Sequence, residues 1–311
     1  MKRLSLIIPC YNEAPSLPVL VRELEDTLAQ IPDIEYEVLF VDDGSSDDSL
    51  EVIEALAAAH PFVRYISFSR NFGKESAIVA GFGHVGGDYV AVMDADMQDP
   101  PKLLPAMLKA VTDEGYECAG ARRVNRKGEP PIRSFFARLF YCVINMISDV
   151  NLVDGARDYK LLSRKAVDAL LRMPEYNRFS KGMYEWIGFR TKWIEYENVE
   201  RVAGESKWSF WKLFKYSLEA VFSFSTVPLS LAFVMGLAFL LGSLAMIVFL
   251  ILREYLYHVS AYGWTSLVCL ILFVCGVQLF CLGIIGQYLA KTYLEVKRRP
   301  HYIVEKQNLR Q

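Results

Sequence analysis

The chain has 311 residues, 53% of them hydrophobic and 23% charged, which supports a sizeable core and excludes disorder as its main state. A net charge of -2 and a pI of about 6.2 leave no global basic field, so no nucleic-acid partner is expected. Six cysteines without a CxxC pair and four scattered histidines indicate neither a zinc cluster nor a disulfide framework.

The opening run "MKRLSLIIPCYNE" breaks at Pro9, too soon for a signal-peptide core, and the N-terminal part is expected in the cytoplasm. Apolar, β-rich runs at 4–9, 36–41, 63–68 and 88–94 predict four strands, with "CAGA" at 118–121 a fifth. Helical periodicity fills 16–30, 47–59, 74–82 and 101–112. Asp47 is placed to cap the second helix, and Pro100 and Pro101 open the fourth. This alternation predicts a doubly wound α/β sheet, mostly parallel, with ligands at the carboxyl ends of its strands. Each of those ends carries a polar cluster: "PCYNE", "DDGSSDD", "SRNFGKE" and "DADMQD" follow strands one to four. Four loops converging on one rim point to a single site.

Between Arg122 and Glu205 the pattern loosens, and "ARRVNRKGEPPIR" predicts a mobile loop. Phe136, Leu139, Phe140, Val143, Ile144, Ile147 and Val150 then recur at helical spacing. That stripe fits either core or a membrane-surface helix over about 134–150, and nearby Arg133 and Arg138 favour the surface. Residues 207–224, with Trp208, Trp211, Lys212 and Lys215, predict a second interfacial helix. No charged residue occurs from Ala220 to Leu252, and none from Tyr255 to Ala290 apart from the titratable His258, so two transmembrane helices are expected within 225–290. Their glycines, Gly236, Gly242, Gly276, Gly283 and Gly286, offer close helix approach. Lys212 and Lys215 precede the spans and Lys291, Lys297, Arg298 and Arg299 follow them, while the loop at about 253–263 holds only Arg253. The catalytic domain (1–206) and the tail (291–311) are therefore expected in the cytoplasm and the short loop in the periplasm.

Asp94 and Asp96 are two apart, so an extended chain turns both side chains to one face. Hard oxygen donors in that pattern suit Mg²⁺ or Mn²⁺, whose shell is completed by water and substrate phosphate, and Gln98 offers a further carbonyl oxygen. Asp99, ahead of two prolines, reads as the start of the next helix.

In order, "LSLIIPCYNE", "VLFVDDGSSDDS", "SRNFGKESAIVAGF" and "VMDADMQDPP", followed by the basic loop, "DYKLLSR", "GESKWS" and two apolar spans, resemble glycosyltransferase family 2 with its GT-A fold. The chain looks most like the polyisoprenyl-phosphate glycosyltransferases related to dolichol-phosphate mannose synthase, in the membrane-anchored branch with the GtrB-type bactoprenol glucosyltransferases. The resemblance implies that Pro9, Tyr11, Asn12, Glu13 and Asp42 surround the donor nucleotide, with Asp43, Lys74, Asp94 and Ala95 close by. It places the metal on Asp94, Asp96 and Gln98, with Asp96 catalytic. It assigns the acceptor phosphate to Arg122, Arg133 and Ser134, and turns Lys207 towards the phosphates. Asp158, or else its near neighbour Asp154, matches an essential aspartate that serves as a base or orients Arg122 or Lys207. A lipid phosphate is largely dianionic at pH 7, its second pKa being about 6, so a base is not required.

The implied reaction is inverting transfer of one sugar, expected as glucose from UDP-glucose, to undecaprenyl or another polyprenyl phosphate on the cytoplasmic face of a bacterial inner membrane. UDP-N-acetylhexosamine, UDP-modified arabinose and GDP-mannose are alternative donors. The missing QxxRW motif and the two spans speak against a processive synthase, and the intact aspartates against a silent scaffold. A homotetramer is the oligomer that the resemblance implies.

Overall fold

In β1 (Lys2–Cys10), Leu4, Leu6 and Ile8 point into one core and Ile7 into another. A strand covered on both faces must be apolar at nearly every position, and the covered stretch Leu4–Cys10 is, apart from Ser5. The computed structural model describes residues 1–124, 141–148, 150–197, 221–257 and 263–309. Within them β1, β2 (Ile34–Asp42), β3 (Val63–Phe68) and β4 (Tyr89–Val92) run parallel in the spatial order β4-β1-β2-β3.

Four further strands extend the sheet to eight, in the order β7-β5-β6-β4-β1-β2-β3-β8. β5 (Cys118–Arg123) and β4 both flank β6 (Ala156–Ser163) and both run antiparallel to it. β7 (Thr191–Tyr196) lies parallel to β5, and β8 (Val304–Gln307) pairs antiparallel with the edge of β3. Helices α1 (Leu17–Leu28), α2 (Ser49–Ala59) and α4 (Leu104–Thr112) pack on one face. On the other lie α3 (Lys74–His84), α5 (Arg164–Leu171) and α6 (Ser180–Trp186).

The five expected strands and four expected helices are all present, β5 running two residues further than expected. β6, β7, β8, α5 and α6 lie in segments where the sequence pattern is loose. The N-cap position of α2 is held by Asp48 rather than the expected Asp47, whose Oδ1 instead accepts the Ser49 N–H at 3.1 Å from one residue further out. Asp99 does not cap a helix: it is fully buried, and a 3-10 turn at Pro101–Leu103 begins after it without a side-chain cap.

Two helices, α7 (Val227–Tyr257) and α8 (Trp264–Lys297), contain spans long and apolar enough to cross a membrane, with mean hydropathy 2.7 and 1.8. A Cβ at Gly236, Gly242, Gly276, Gly283 or Gly286 would meet nothing within 4 Å, so these glycines are not what brings α7 and α8 together. The expected surface stripe is partly core: Ile144 and Val150 are buried with Leu152 and Phe179, while Met146 is 78% exposed. Phe136, Leu139, Phe140 and residues 207–220 lie outside the described residues.

Close packing of α3 against β1 depends on one missing side chain. A Cβ on Gly81 would stand 2.3 Å from Ile7 Cγ2, whereas one on the exposed Gly83 would meet nothing. Gly81→Ala should therefore destabilise the full-length protein by about 1–3 kcal/mol through overpacking. Gly83→Ala should be neutral or stabilise by up to about 1 kcal/mol, and thermal unfolding of the two variants checks both signs.

Candidate active site

The loops after β1 and β2 are stitched together by short polar side chains. Asn12 holds φ +56°, a conformation that asparagine tolerates better than most residues, and its Oδ1 accepts the Ser46 N–H at 2.8 Å. The Asn12 and Glu13 N–H groups donate to Ser45 and Ser49 hydroxyls, both at 2.9 Å. Pro9 is buried opposite Val41, and Tyr11 stands exposed at the rim.

Asp42 and Asp43 are spent largely on the protein itself. Asp42, 1% exposed, accepts from the Ser67 hydroxyl at 2.8 Å and the Ser45 N–H at 3.2 Å. Asp43 accepts the N–H groups of Phe72 at 2.6 Å and Gly73 at 2.9 Å, fixing the loop that leads into α3. Burial pushes its carboxyl up to about 6, against the opposing effect of those two N–H donors. Gly44 lets this loop pass close by: a Cβ there would lie 2.4 Å from the Arg70 backbone.

After β4 the chain alternates. Met93, Ala95, Met97 and Asp99 are buried, while Asp94, Asp96 and Gln98 are half-exposed and share the open side. The three expected metal ligands thus stand together at the rim, but with different commitments. Asp96 Oδ1 accepts the Gln98 N–H at 3.2 Å, and the Gln98 side-chain oxygen accepts from Arg157 Nη2 at 3.1 Å. Among the described residues no three His, Cys, Asp or Glu side chains form a ready cation cage. Two hard carboxylates at one rim still fit Mg²⁺ or Mn²⁺, which retain several waters and take the rest of their oxygens from phosphate.

Lys74 lies at the centre. Its ammonium is 2.6 Å from Asp94 Oδ1 and 2.5 Å from Asp158 Oδ2, joining the start of α3 to the ends of β4 and β6. Burial alone would lower this lysine, but Asp158 and Asp94 hold it well above its ordinary value. Burial would likewise raise Asp158, yet Lys74 and then Lys181 keep it well below the usual carboxylate range. Glu75, the next residue of α3, accepts the N–H of Ser180 at 3.0 Å and its hydroxyl, anchoring α6 beside the site.

Arg157 and Asp99 form a second pair beneath the aspartate loop. The guanidinium Nε meets Asp99 Oδ1 at 3.0 Å, and the Tyr196 hydroxyl donates to the same oxygen at 3.1 Å. Sequence reasoning assigned Asp99 to a helix start and did not single out Arg157, Glu75 or Lys181. Strand alternation in "ARDYKLLS" was the available signal: it puts Arg157 and Tyr159 on the face opposite Asp158 and Lys160. Arg122 reaches the Asp154 carbonyl at 3.2 Å and Glu195 at 3.4 Å. Arg133, Ser134 and Lys207 lie outside the described residues.

A mostly parallel sheet whose loops close on one rim, with paired aspartates after the fourth strand, defines a glycosyltransferase of the GT-A type. The chain belongs to glycosyltransferase family 2, whose model matches residues 5–171. It is 46% identical over 306 residues to CsbB of Bacillus subtilis (strain 168), covering 98% of this chain and 92% of that protein. It is 36% identical over 312 residues to the prophage bactoprenol glucosyl transferase homolog of Escherichia coli (strain K12), covering 98% and 99%. With the SfII prophage-derived bactoprenol glucosyl transferase of Shigella flexneri the identity is 37% over 309 residues, covering 98% of each. Among solved structures, mannosyl-3-phosphoglycerate synthase from Rubrobacter xylanophilus matches over 71% of this chain and 72% of its own, at 19% identity and a TM-score of 0.49.

Removing Arg157 leaves a fully buried carboxylate whose other oxygen, Oδ2, has no hydrogen-bond partner. Arg157→Ala should cost about 3 kcal/mol of stability, the penalty for an uncompensated buried charge. Adding Asp99→Asn should recover part of that loss, as thermal unfolding of the single and double variants would record.

Proposed function

We propose that the protein transfers a single sugar, with inversion, from a nucleotide donor to a polyprenyl phosphate at the cytoplasmic face of a bacterial inner membrane. The observation that carries this reading is likeness over nearly the full length to proteins named bactoprenol glucosyl transferases. The two apolar helices support it, since they bring the catalytic sheet to the compartment where a lipid acceptor resides. Lysines and arginines flanking the spans support the orientation. Glucose from UDP-glucose is the donor this likeness favours.

The residues suggest a division of labour. Tyr11, Asn12 and Glu13 border the expected nucleotide pocket, while Asp42 and Asp43 hold its floor and the loop into α3. Asp94 and Asp96 would hold the divalent cation, which as a Lewis acid stabilises the departing diphosphate. Asp94, Asp96, Asp99, Asp158 and Glu75 outnumber Lys74, Arg157 and Lys181 around this centre. An anionic donor meets an acidic rim there, and this excess is the local reason for a bound cation.

Asp158 serves as an ion-pair partner rather than a base. A carboxylate held well below its ordinary range is a weak proton acceptor at neutral pH, and the acceptor phosphate is already largely ionised. The acceptor oxygen attacks the anomeric carbon on the face opposite the diphosphate, so the sugar is inverted. Lys74 keeps Asp94 and Asp158 apart in charge and fixed in place while the leaving group departs.

Membranes containing the full-length protein, given undecaprenyl phosphate and a panel of radiolabelled UDP- and GDP-sugars, should form one lipid-linked product. EDTA should abolish it, and Asp96→Ala should lower turnover at least about 100-fold without affecting membrane insertion. No lipid-linked product from any donor would refute the enzymatic reading, and EDTA-resistant turnover would refute the cation's role.

A further inference from the structure

Two consecutive residues of β6 grip the aspartate loop from opposite faces of the sheet. The register of β4 on β6 ends with Val92 opposite Lys160, so the chain leaving β4 meets the next residues of β6, Asp158 and Arg157. Strand alternation turns those two side chains to opposite faces. Asp158 reaches the start of the loop through Lys74, whose ammonium also holds Asp94. Arg157 reaches its end, with Nε donating to Asp99 Oδ1 at 3.0 Å and Nη2 to Gln98 Oε1 at 3.1 Å. Neither the sequence motifs nor the resemblance assigns Arg157 a role.

Between these grips the loop does not hold its shape by local preference. Met97 takes φ +61°, a left-handed conformation that is unfavourable for a residue with an ordinary Cβ. Its side chain is nonetheless buried in the core with Met93 and Ala95. The reversal at Met97 aims the Gln98 N–H back at Asp96, whose Oδ1 accepts it at 3.2 Å. A residue in so sparse a backbone region persists only where its surroundings over-determine it. At the start of the loop the Met93 N–H donates to the Ile7 carbonyl at 3.1 Å. At its end Arg157 holds the two residues that follow Met97, and the Tyr196 hydroxyl fixes the same Asp99 oxygen at 3.1 Å.

We propose that Arg157 is a positioning residue for the divalent cation: bound to Asp99, it holds the Gln98 amide, keeps the Gln98 N–H on Asp96 and so orients the Asp96 carboxylate beside Asp94. This deepens the proposed function and rests on the cation assigned there. Arg157 acts through Gln98 and touches neither the cation nor the donor. Its planar fork offers donors in fixed directions, one to the carboxylate and one to the amide, whereas a lysine ammonium could neutralise Asp99 without spanning both. Direct binding of the donor diphosphate by Arg157 would instead take the guanidinium from Asp99, a fully buried carboxylate, and leave that charge uncompensated.

Full-length protein in phosphatidylcholine nanodiscs is titrated with Mn²⁺ in the presence of UDP, free Mn²⁺ being read by electron paramagnetic resonance, and separately with UDP in EDTA. Arg157→Lys keeps a cation for Asp99 and should unfold close to the wild-type temperature. It should weaken Mn²⁺ about 10- to 100-fold, the range for losing a group that orients metal ligands, and leave UDP affinity in EDTA within about twofold. Gln98→Leu, at the rim, breaks the same link without touching the Arg157–Asp99 pair and should also weaken Mn²⁺. The double variant should be no more than about threefold weaker than the worse single variant, because both changes cut one connection. Unchanged Mn²⁺ affinity in either single variant would overturn the assignment while leaving the cation on Asp94 and Asp96. Losses that multiply would also overturn it, since Arg157 would then not act through Gln98. Equal loss of Mn²⁺ and of metal-free UDP affinity in Arg157→Lys would mark a residue that meets the donor or only supports the fold, and overturn it as well. Mn²⁺ affinity that Asp96→Ala leaves at the wild-type value would overturn both this inference and the cation site on which it rests.

Discussion

Placing an ammonium 2.6 Å from one carboxylate and 2.5 Å from another, at the meeting point of a helix and two strands, fixes both the charge and the geometry of the site. Lys74 stays protonated because Asp158 and Asp94 more than offset the effect of burial, and Asp158 stays ionised for the reciprocal reason. Neither side chain can move independently without leaving a half-buried charge unpaired. The loop that delivers Lys74 is itself held by Asp43 through the Phe72 and Gly73 N–H groups, so that loop and Lys74 share one anchor. Around this pair the carboxylates exceed the cations, which is the electrostatic condition under which the proposed divalent cation would be held.

The catalytic sheet and the two long apolar helices are coupled by short, specific contacts. After α8 the chain returns to the sheet as β8, which covers the exposed edge of β3 and so protects it from pairing with other chains. Tyr302 stacks on Phe68 with ring centroids 4.9 Å apart, and the Tyr65 N–H donates to Asn308 Oδ1 at 2.7 Å. At the end of α8, Glu295 accepts the N–H of Tyr176 at 2.8 Å, in the loop just before α6. One of these contacts, at Tyr176, therefore lies in the loop that leads to Ser180 and its bond to Glu75. This geometry ties the end of α8 to the sheet.

The parallel centre of the fold was legible because strands buried on both faces must be mostly apolar, and 4–9, 36–41, 63–68 and 88–94 are, with only Ser5, Glu37, Arg64, Ser67 and the flanking Asp88 and Asp94 as exceptions. β6 was not read as a strand because Arg157, Asp158 and Lys160 interrupt the apolar pattern. In the fold each of those charges has a partner drawn from elsewhere in the chain. β8, "VEKQ", leaves three of its four residues exposed and carries no hydrophobic signature at all. Within the site, Asp94, Asp96, Lys74 and Asp158 could be picked out as residues, but not their pairing, since Lys74 and Asp158 are 84 positions apart. Asp99 was misassigned for a local reason: an aspartate before two prolines looks like a helix start, and only tertiary burial reveals it as the counter-ion of Arg157.

If Lys74 and Asp158 act as one unit, removing either should cost nearly as much as removing both. The decisive measurement is kcat for Lys74→Met, Asp158→Asn and the double variant, all in membranes and with the donor that supports turnover. A double variant no more than about threefold slower than the worse single variant is the result expected of residues acting as a unit. Losses that multiply would mean that the two groups act independently, and the shared ammonium would not be the centre of this site.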